Sequence, residues 1–381
     1  MIYLDYAAAA PVRKEVRKAV AEAQKYFANP SSNHSAGKKA KEIVEFSREK
    51  IKKIINAKEK DKIIFTSSGT ESVNLALKGV AFTNTKNGKK RSHIIVSKIE
   101  HKAVLETCRF LEQEGFTVTY VEVDKYGRVN PEDVEKAITK KTILISIMYA
   151  NNEIGTIQPI KEIVEIAKKK KVLFHTDACQ AGYLDVNVQE LGVDLLTLNS
   201  NKIYGPKGAG LLYVKEGVAI QPLIHGGGQE YGWRSGTENV PAIVGFAKAL
   251  QLAQQEKVKE NKRLRELRDY FISTVQERIP KTFLNGHPKE RLPNNVHLSF
   301  EGVEAETVLS YLNQLGIYAS AGSACTANEM EISHVLTAMK IPEKLARGSI
   351  RFSLGKGTSK KDVDKVIKVL AEVIPSLRKV S

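Results

Sequence analysis

The chain has 381 residues, 42% apolar and 27% charged, enough to bury one large core or two ordinary ones and too apolar for a chain disordered throughout. Lys and Arg outnumber Asp and Glu by 59 to 43; the net charge of +16 suits nucleic acid or an acidic partner, but lysines spread along the whole chain read first as a solvated surface. No apolar run approaches the ~20 residues of a membrane span, the N-terminus has no signal-peptide pattern, and three cysteines without a CxxC pair fit a reducing cytoplasm rather than a disulfide or thiolate–zinc scaffold.

Residues 38–55 place Ile43, Val44, Ile51, Ile54 and Ile55 on one helical stripe. The short β-branched run 62–66 predicts a strand, and 71–82 a helix. Strand 93–96, helix 102–114 and the alternating strand 117–123 follow. A helix opened by Pro131, a strand over 143–149, a helix over 161–170 and a strand over 172–176 continue the alternation. Lys168 to Lys171 close the helix before that strand, where cations suit its dipole. Strands 195–199 and 210–214 complete the pattern, which predicts a mostly parallel sheet covered by helices on both faces. From Pro241 a long helical stretch reaches about Ile279 and can carry the chain into a second domain. That part has fewer strands, 297–300 and 350–353, and ends in a helix over 362–377 announced by the Ser359-x-x-Asp362 capping pattern. The expected organisation is a large α/β domain over 14–257 and a smaller α+β domain formed by 1–13 with 258–381.

Ligands of open α/β sheets gather beyond the carboxyl ends of strands, and four polar clusters fall near such ends or in the second domain. Thr66-Ser67-Ser68-Gly69-Thr70-Glu71 joins a strand to a helix; its small residues suit a phosphate at the helix start, and equally an ordinary helix cap. It is neither a Walker loop nor a GxGxxG fingerprint. Asp177 ends an apolar strand, where a carboxylate needs a cation, such as a protonated heteroaromatic nitrogen, or caps the next turn. Lys202 follows a strand and precedes Tyr204-Gly205-Pro206; a desolvated lysine there is a nucleophile or base, whereas a loop lysine is ordinarily solvated. Cys325 lies among small residues, Gly322-Ser323-Ala324 before it and Thr326-Ala327 after it, a context for a reactive thiol on a movable loop. Cys108, beside Leu105 and Leu111 on a helix, reads as structural, and Cys179 is ambiguous.

In this order the segments resemble the pyridoxal-phosphate (PLP) cysteine desulfurases of the NifS/IscS type, in the class V aminotransferase family. The matching residues are 3–8, 29–34, 66–72, 100–104, 151–155, 177–180, 202–208, 226–230, 234–237, 322–326 and 350–353, nearly end to end. The resemblance implies a type I PLP-transferase fold and the conversion of L-cysteine to L-alanine. Lys202 would hold PLP as a Schiff base and move the substrate's Cα proton, and Asp177 would pair with the pyridinium nitrogen. His101 would stack on the ring and assist proton transfers, although a histidine at a helix start is also a cap or core residue. Asn152 and Gln180 would bond the phenolic oxygen, while Gly69 and Thr70 would hold the phosphate. Thr237 would reach the phosphate of a partner subunit in a homodimer, and Arg351 would clamp the substrate carboxylate. Cys325 would attack the substrate sulfur as thiolate, keep it as a persulfide, and swing out to an acceptor such as an iron–sulfur scaffold or a tRNA-thiolation enzyme. The family's Ser-x-His before the lysine is here Asn199 and Asn201, which donate hydrogen bonds but lack a histidine's charge and imply a weaker phosphate site. No metal site, membrane segment or nucleic-acid requirement is expected, and the implied setting is cytoplasmic. A selenocysteine lyase or class V transaminase would use the same cofactor, though a transaminase needs no loop cysteine. A non-catalytic sulfur-delivery or RNA-binding scaffold would need none of Lys202, Asp177 and Arg351.

Overall fold

The computed structural model describes residues 1–86, 93–322 and 332–379. The chain opens with β1 (Ile2–Tyr3), α1 (Lys14–Ala23) and α2 (Ser35–Ile54). The alternating part follows as β2 (Lys62–Thr66), α3 (Gly69–Lys86), β3 (His93–Ser97), α4 (Lys102–Gln113), β4 (Thr117–Val121) and α5 (Pro131–Ala137). It continues through β5 (Thr142–Ser146), α6 (Ile160–Lys170), β6 (Leu173–Asp177), α7 (Val188–Leu191), β7 (Leu195–Asn199) and β8 (Gly210–Val214). Helix α8 (Val240–Arg278) leads to β9 (Thr282–Leu284), β10 (Asn295–Phe300), α9 (Ala305–Gln314) and β11 (Ile317–Tyr318). The last elements are α10 (His334–Ala338), α11 (Glu343–Ala346), β12 (Ser349–Ser353) and α12 (Lys360–Arg378).

The central sheet runs in the order β2-β8-β7-β6-β5-β3-β4, with only β8 antiparallel to its neighbours. Successive residues point to opposite faces. Ile63, Ile95, Phe174 and Leu196 enter one buried cluster, while Ile64, Ile94, Leu144 and Leu195 enter another. Both faces are therefore dry, which explains why these strands read as apolar runs. Each such side chain stabilises the fold by about 1.5–3 kcal/mol through its burial. The predicted strand 143–149 stops at Ser146 because the Met148 N–H turns to the Glu100 carboxyl, 2.9 Å away, and leaves the ladder.

A separate core forms around the antiparallel sheet β12-β10-β9, with α9, α12 and the second half of α8. Helix α8 serves both: Phe246 and Leu250 pack in the first core, Phe271 and Val275 in the second. The N-terminus crosses the other way, since β1 pairs in parallel with β11 and Leu4 enters the second core. Ser359 and Asp362 form the predicted capping box of α12, and Lys168, Lys169 and Lys170 occupy the last turn of α6. No helix among the described residues is long and apolar enough to cross a membrane.

Helix α2 is tied to the chain after β8 by a buried ion pair. Arg48 Nη1 and Nη2 donate to Glu230 at 2.7 and 2.9 Å, with side chains 3% and 1% exposed, and Glu230 also accepts from the Phe65 N–H at 2.8 Å. Without Glu230, Arg48 would keep only the half-exposed Glu45 as an anionic partner among the described residues, at 3.1 Å, and the Phe65 N–H would lose its acceptor. Glu230→Ala is expected to lower stability by about 3–5 kcal/mol, read as a lower denaturant midpoint.

Candidate functional site

The carboxyl ends of β2, β3, β5, β6 and β7 meet at one edge of the sheet. There a cavity of about 230 Å³ is lined by Gly69, Thr70, His101, Asn152, Asp177, Gln180, Asn199, Lys202 and Arg351. These are nine of the residues singled out in the sequence, drawn from six segments far apart in the chain. Ala7, Ala8, Ala103, Met148, Ala150 and Cys179 complete the wall.

At the start of α3, the first-turn N–H groups of Gly69 and Thr70 have no hydrogen-bond partner among the described residues. A Cβ on Gly69 would lie 2.6 Å from Cys179 Sγ and 3.5 Å from the Asn199 side chain, so only glycine lets these walls close around the helix start. The preceding turn is braced by Glu71, which accepts from Ser67 N–H and Oγ and from Arg234 Nε at 2.8 Å. Burial raises its carboxyl pKa, but Arg234 and Ser67 outweigh burial and hold the carboxyl below its ordinary value.

His101 caps α4, its Nδ1 accepting from the Ala103 N–H at 3.1 Å, while its ring also faces the cavity. The capping and cavity readings of this histidine therefore coexist. Asp177 is 7% exposed at the end of β6. Its Oδ1 accepts from the Cys179 N–H at 2.9 Å. One strand residue earlier in the same face pattern, His175 is wholly buried between Ser146 Oγ and Thr197 Oγ1; burial, against the pull of Asp177, drops its pKa to about 4.

Lys202 Nζ donates to the carbonyls of Ala7 and Ala8 at 2.9 and 2.6 Å, and Gln180 Nε2 donates to the Ala7 carbonyl at 3.0 Å. The lysine is thus held inside the cavity by the N-terminal strand segment rather than solvated. Arg351, 2% exposed on β12, reaches across from the second core. Its Nη2 donates to Asp5 at 2.8 Å and its Nη1 to the Asn152 carbonyl at 2.9 Å, while Nε is buried without a partner among the described residues. Asp5 was not foreseen; it stands in a matching segment, but nothing in its spacing pointed to an arginine some 350 positions later.

Two predicted residues are placed elsewhere. Thr237 lines a neighbouring cavity of about 150 Å³ with Ser67, Gly208 and Arg234, so this chain alone does not bring it to Lys202. Asn201 is not among the residues around the lysine's cavity; its Oδ1 is buried without a partner among the described residues. Cys325 lies outside the described residues. Of the other two cysteines, Cys108 is buried in the core, and burial raises its pKa. Cys179 is raised well above the ordinary thiol range by burial and then by Asp177. Both are protonated thiols at neutral pH, unsuited to nucleophilic attack.

The Aminotransferase class-V family pattern matches residues 2–366. The cysteine desulfurase IscS of Dictyoglomus turgidum is 54% identical over 100% of this chain and 96% of its own length. That of Methanosarcina thermophila is 52% identical over 100% and 93%. Among solved structures, a NifS-like protein superposes with a TM-score of 0.91 at 38% identity, covering 98% of this chain and 99% of its own. A structure described as SspA in complex with cysteine gives a TM-score of 0.80 at 38% identity, covering 93% and 99%.

Two outcomes are expected from this geometry. Asn201→His, which adds a cation beside the Lys202 segment, is expected to lower the dissociation constant for PLP; an unchanged value in a fluorescence titration excludes a role for that charge. His175 titrates near 4 when folded and about 6.5 when unfolded, so between these values the unfolded chain binds the extra proton and stability falls as pH falls. Denaturant titrations from pH 7 to 4 are expected to lose about 3 kcal/mol through this group, and His175→Gln to lose correspondingly less.

Proposed function

The chain belongs to the class V aminotransferase family, among its IscS-type cysteine desulfurases, and we propose that it moves the sulfur of L-cysteine onto Cys325 and from there to an acceptor protein that assembles iron–sulfur clusters. The observation that carries the site assignment is the buried Asp177 carboxyl at the end of a cavity that also holds Lys202. A buried carboxylate of this kind is costly unless a positively charged group meets it.

PLP fits these residues: the open first turn at Gly69 and Thr70 suits its phosphate, Asp177 its ring nitrogen, and Asn152 and Gln180 its phenolic oxygen. Asn199 borders the same turn, and Thr237 of a second copy is proposed to complete it in a homodimer. When bound, PLP supplies an electron sink for the pair left at the substrate Cα. Lys202 would anchor the cofactor through Nζ, and the same atom would take the Cα proton of the substrate. His101 faces the same space and assists proton transfer. Arg351, which lines the cavity and whose Nε has no hydrogen-bond partner among the described residues, would hold the substrate carboxylate.

At the sulfur, the Cys325 thiolate attacks and forms an S–S bond. The Cβ–S bond of cysteine breaks with its electron pair on Cβ, which takes a proton to become the methyl group of alanine. The enzyme is left with a persulfide, and no external oxidant is needed. The protonated state of Cys108 and Cys179 supports Cys325 as the acceptor. We also retain residues 14–257 and 1–13 with 258–381 as the two domains, supported by the way α8 divides its buried face between two cores.

Incubation with L-cysteine is expected to yield alanine and, on mass spectrometry, a 32-Da adduct on the Cys325 peptide, a mass that is that of one sulfur atom. Cys325→Ala is expected to slow alanine release at least about 10³-fold while leaving the PLP absorbance intact, the scale on which removal of a covalent nucleophile acts. Alanine release at the wild-type rate would overturn the assignment.

A further inference from the structure

Glu100 is wholly buried between the end of β3 and the start of α4, one residue before His101, and does not line the cavity around Lys202. Its Oε1 accepts from two donors, the Ser97 hydroxyl and the Met148 N–H, the latter at 2.9 Å. Its Oε2 is buried and has no hydrogen-bond partner among the described residues. The titratable groups acting on it are Cys108 from α4, itself a protonated thiol, and Asp177 from β6, whose negative charge opposes a second one nearby. From α10, His334 Nε2 bonds the Glu100 backbone carbonyl at 3.0 Å rather than the carboxyl.

The contact to Met148 has a counterpart running the other way. Asn151 Nδ2 donates to the Ile99 carbonyl at 2.9 Å, while Asn151 Oδ1 accepts from the N–H groups of Glu153 and Ile154 at 2.8 and 3.0 Å. The turn over 97–101 thus sends a carboxyl to the backbone of 147–154, which sends an amide back. One side of this clamp carries His101; the other carries Met148, Ala150 and Asn152, and all four line the cavity. The Asn152 carbonyl in turn holds Arg351 Nη1 at 2.9 Å. The spacing of these walls therefore passes through the Glu100 carboxyl.

An ionised carboxylate shares its charge between two oxygens and needs donors at both. Here both donors sit on Oε1 and Oε2 is dry, which suits a neutral acid with Oε1 as its carbonyl and the proton on Oε2. An unpartnered hydroxyl in a dry site costs far less than an unpartnered charge. Burial, with a further push from Asp177, accordingly raises the Glu100 pKa from 4.5 to about 8. We propose that Glu100 is a neutral carboxylic acid at pH 7, a positioning residue that locks the His101 and Asn152 walls of the cavity together while leaving the negative charge of the site to Asp177. The inference rests on the reading of this cavity as the place of PLP.

Infrared difference spectra of wild type against Glu100→Gln read the proton directly, with and without PLP. The carbonyl stretch of a protonated acid is expected in the wild type at pH 7 and is expected to fade as pH rises through about 8. Glu100→Gln keeps a neutral group of the same shape with an acceptor oxygen, and is expected to bind PLP with the wild-type dissociation constant at pH 7. Glu100→Ala removes the acceptor and is expected to raise that constant about ten- to a hundredfold, the scale on which misplacement by an ångström acts. Because the folded chain holds this proton more tightly than the unfolded one, stability falls as pH rises from 4.5 to about 8, and Glu100→Gln is expected to lack that part of the fall in denaturant midpoint. The inference is overturned by the absence of the acid band at pH 7, by a Glu100→Gln protein that does not fold, or by one that binds PLP as weakly as Glu100→Ala. If Glu100→Ala does not fold, the band and Glu100→Gln carry the test. A wild-type protein with the acid band but no PLP absorbance instead overturns the cofactor reading, and the positioning role with it.

Discussion

The backbone of residues 5–10 is the strap on which the site depends. It starts in the second core, where β1 pairs with β11, and ends against the Lys202 turn, where the Ala10 N–H donates to the Asn201 carbonyl at 2.9 Å. Between these points the Ala7 N–H is held by Ser353 Oγ on β12 at 2.9 Å, and the Ala7 and Ala8 carbonyls face the lysine amine. An ammonium that donates to two backbone carbonyls is oriented by them toward the cavity. The same strap carries Asp5, which holds one prong of Arg351. The amine from the first core and the guanidinium from the second are thereby set by one short stretch of chain.

Much of this was legible in the sequence because it rests on local rules. Fully buried strands read as apolar runs, Ser359 and Asp362 announced the start of α12, and the lysines at 168–170 marked the end of α6. The cavity residues stood out because a parallel sheet puts every strand's carboxyl end on one edge, so polar residues after β2, β3, β5, β6 and β7 had to converge. Their individual roles came from the family resemblance, since Lys202 or Asp177 alone reads equally well as a loop lysine or a cap.

What escaped was long-range. Asp5 meets Arg351, and Arg48 meets Glu230, at separations where no periodicity or spacing carries information. The short elements β1, α7, β9, β11, α10 and α11 gain their stability from tertiary contacts rather than from propensity over a long window, so they left no pattern to read. The strand ending at Ser146 shows a local pattern overruled: Ile147 to Tyr149 read as a continuation, but the buried Glu100 carboxyl takes the Met148 N–H that the ladder would have used.

Cys108 and Cys179 show how burial takes a thiol out of nucleophilic chemistry. Cys179 lies against the helix start at Gly69 and lines the cavity, yet burial and the Asp177 charge keep its proton on. Proximity alone therefore does not make a nucleophile, because the thiolate is the reactive form and a dry, anionic wall opposes it. A sulfur acceptor that must also release its cargo to another protein has a second requirement, access to the outside, which no residue in that wall can meet.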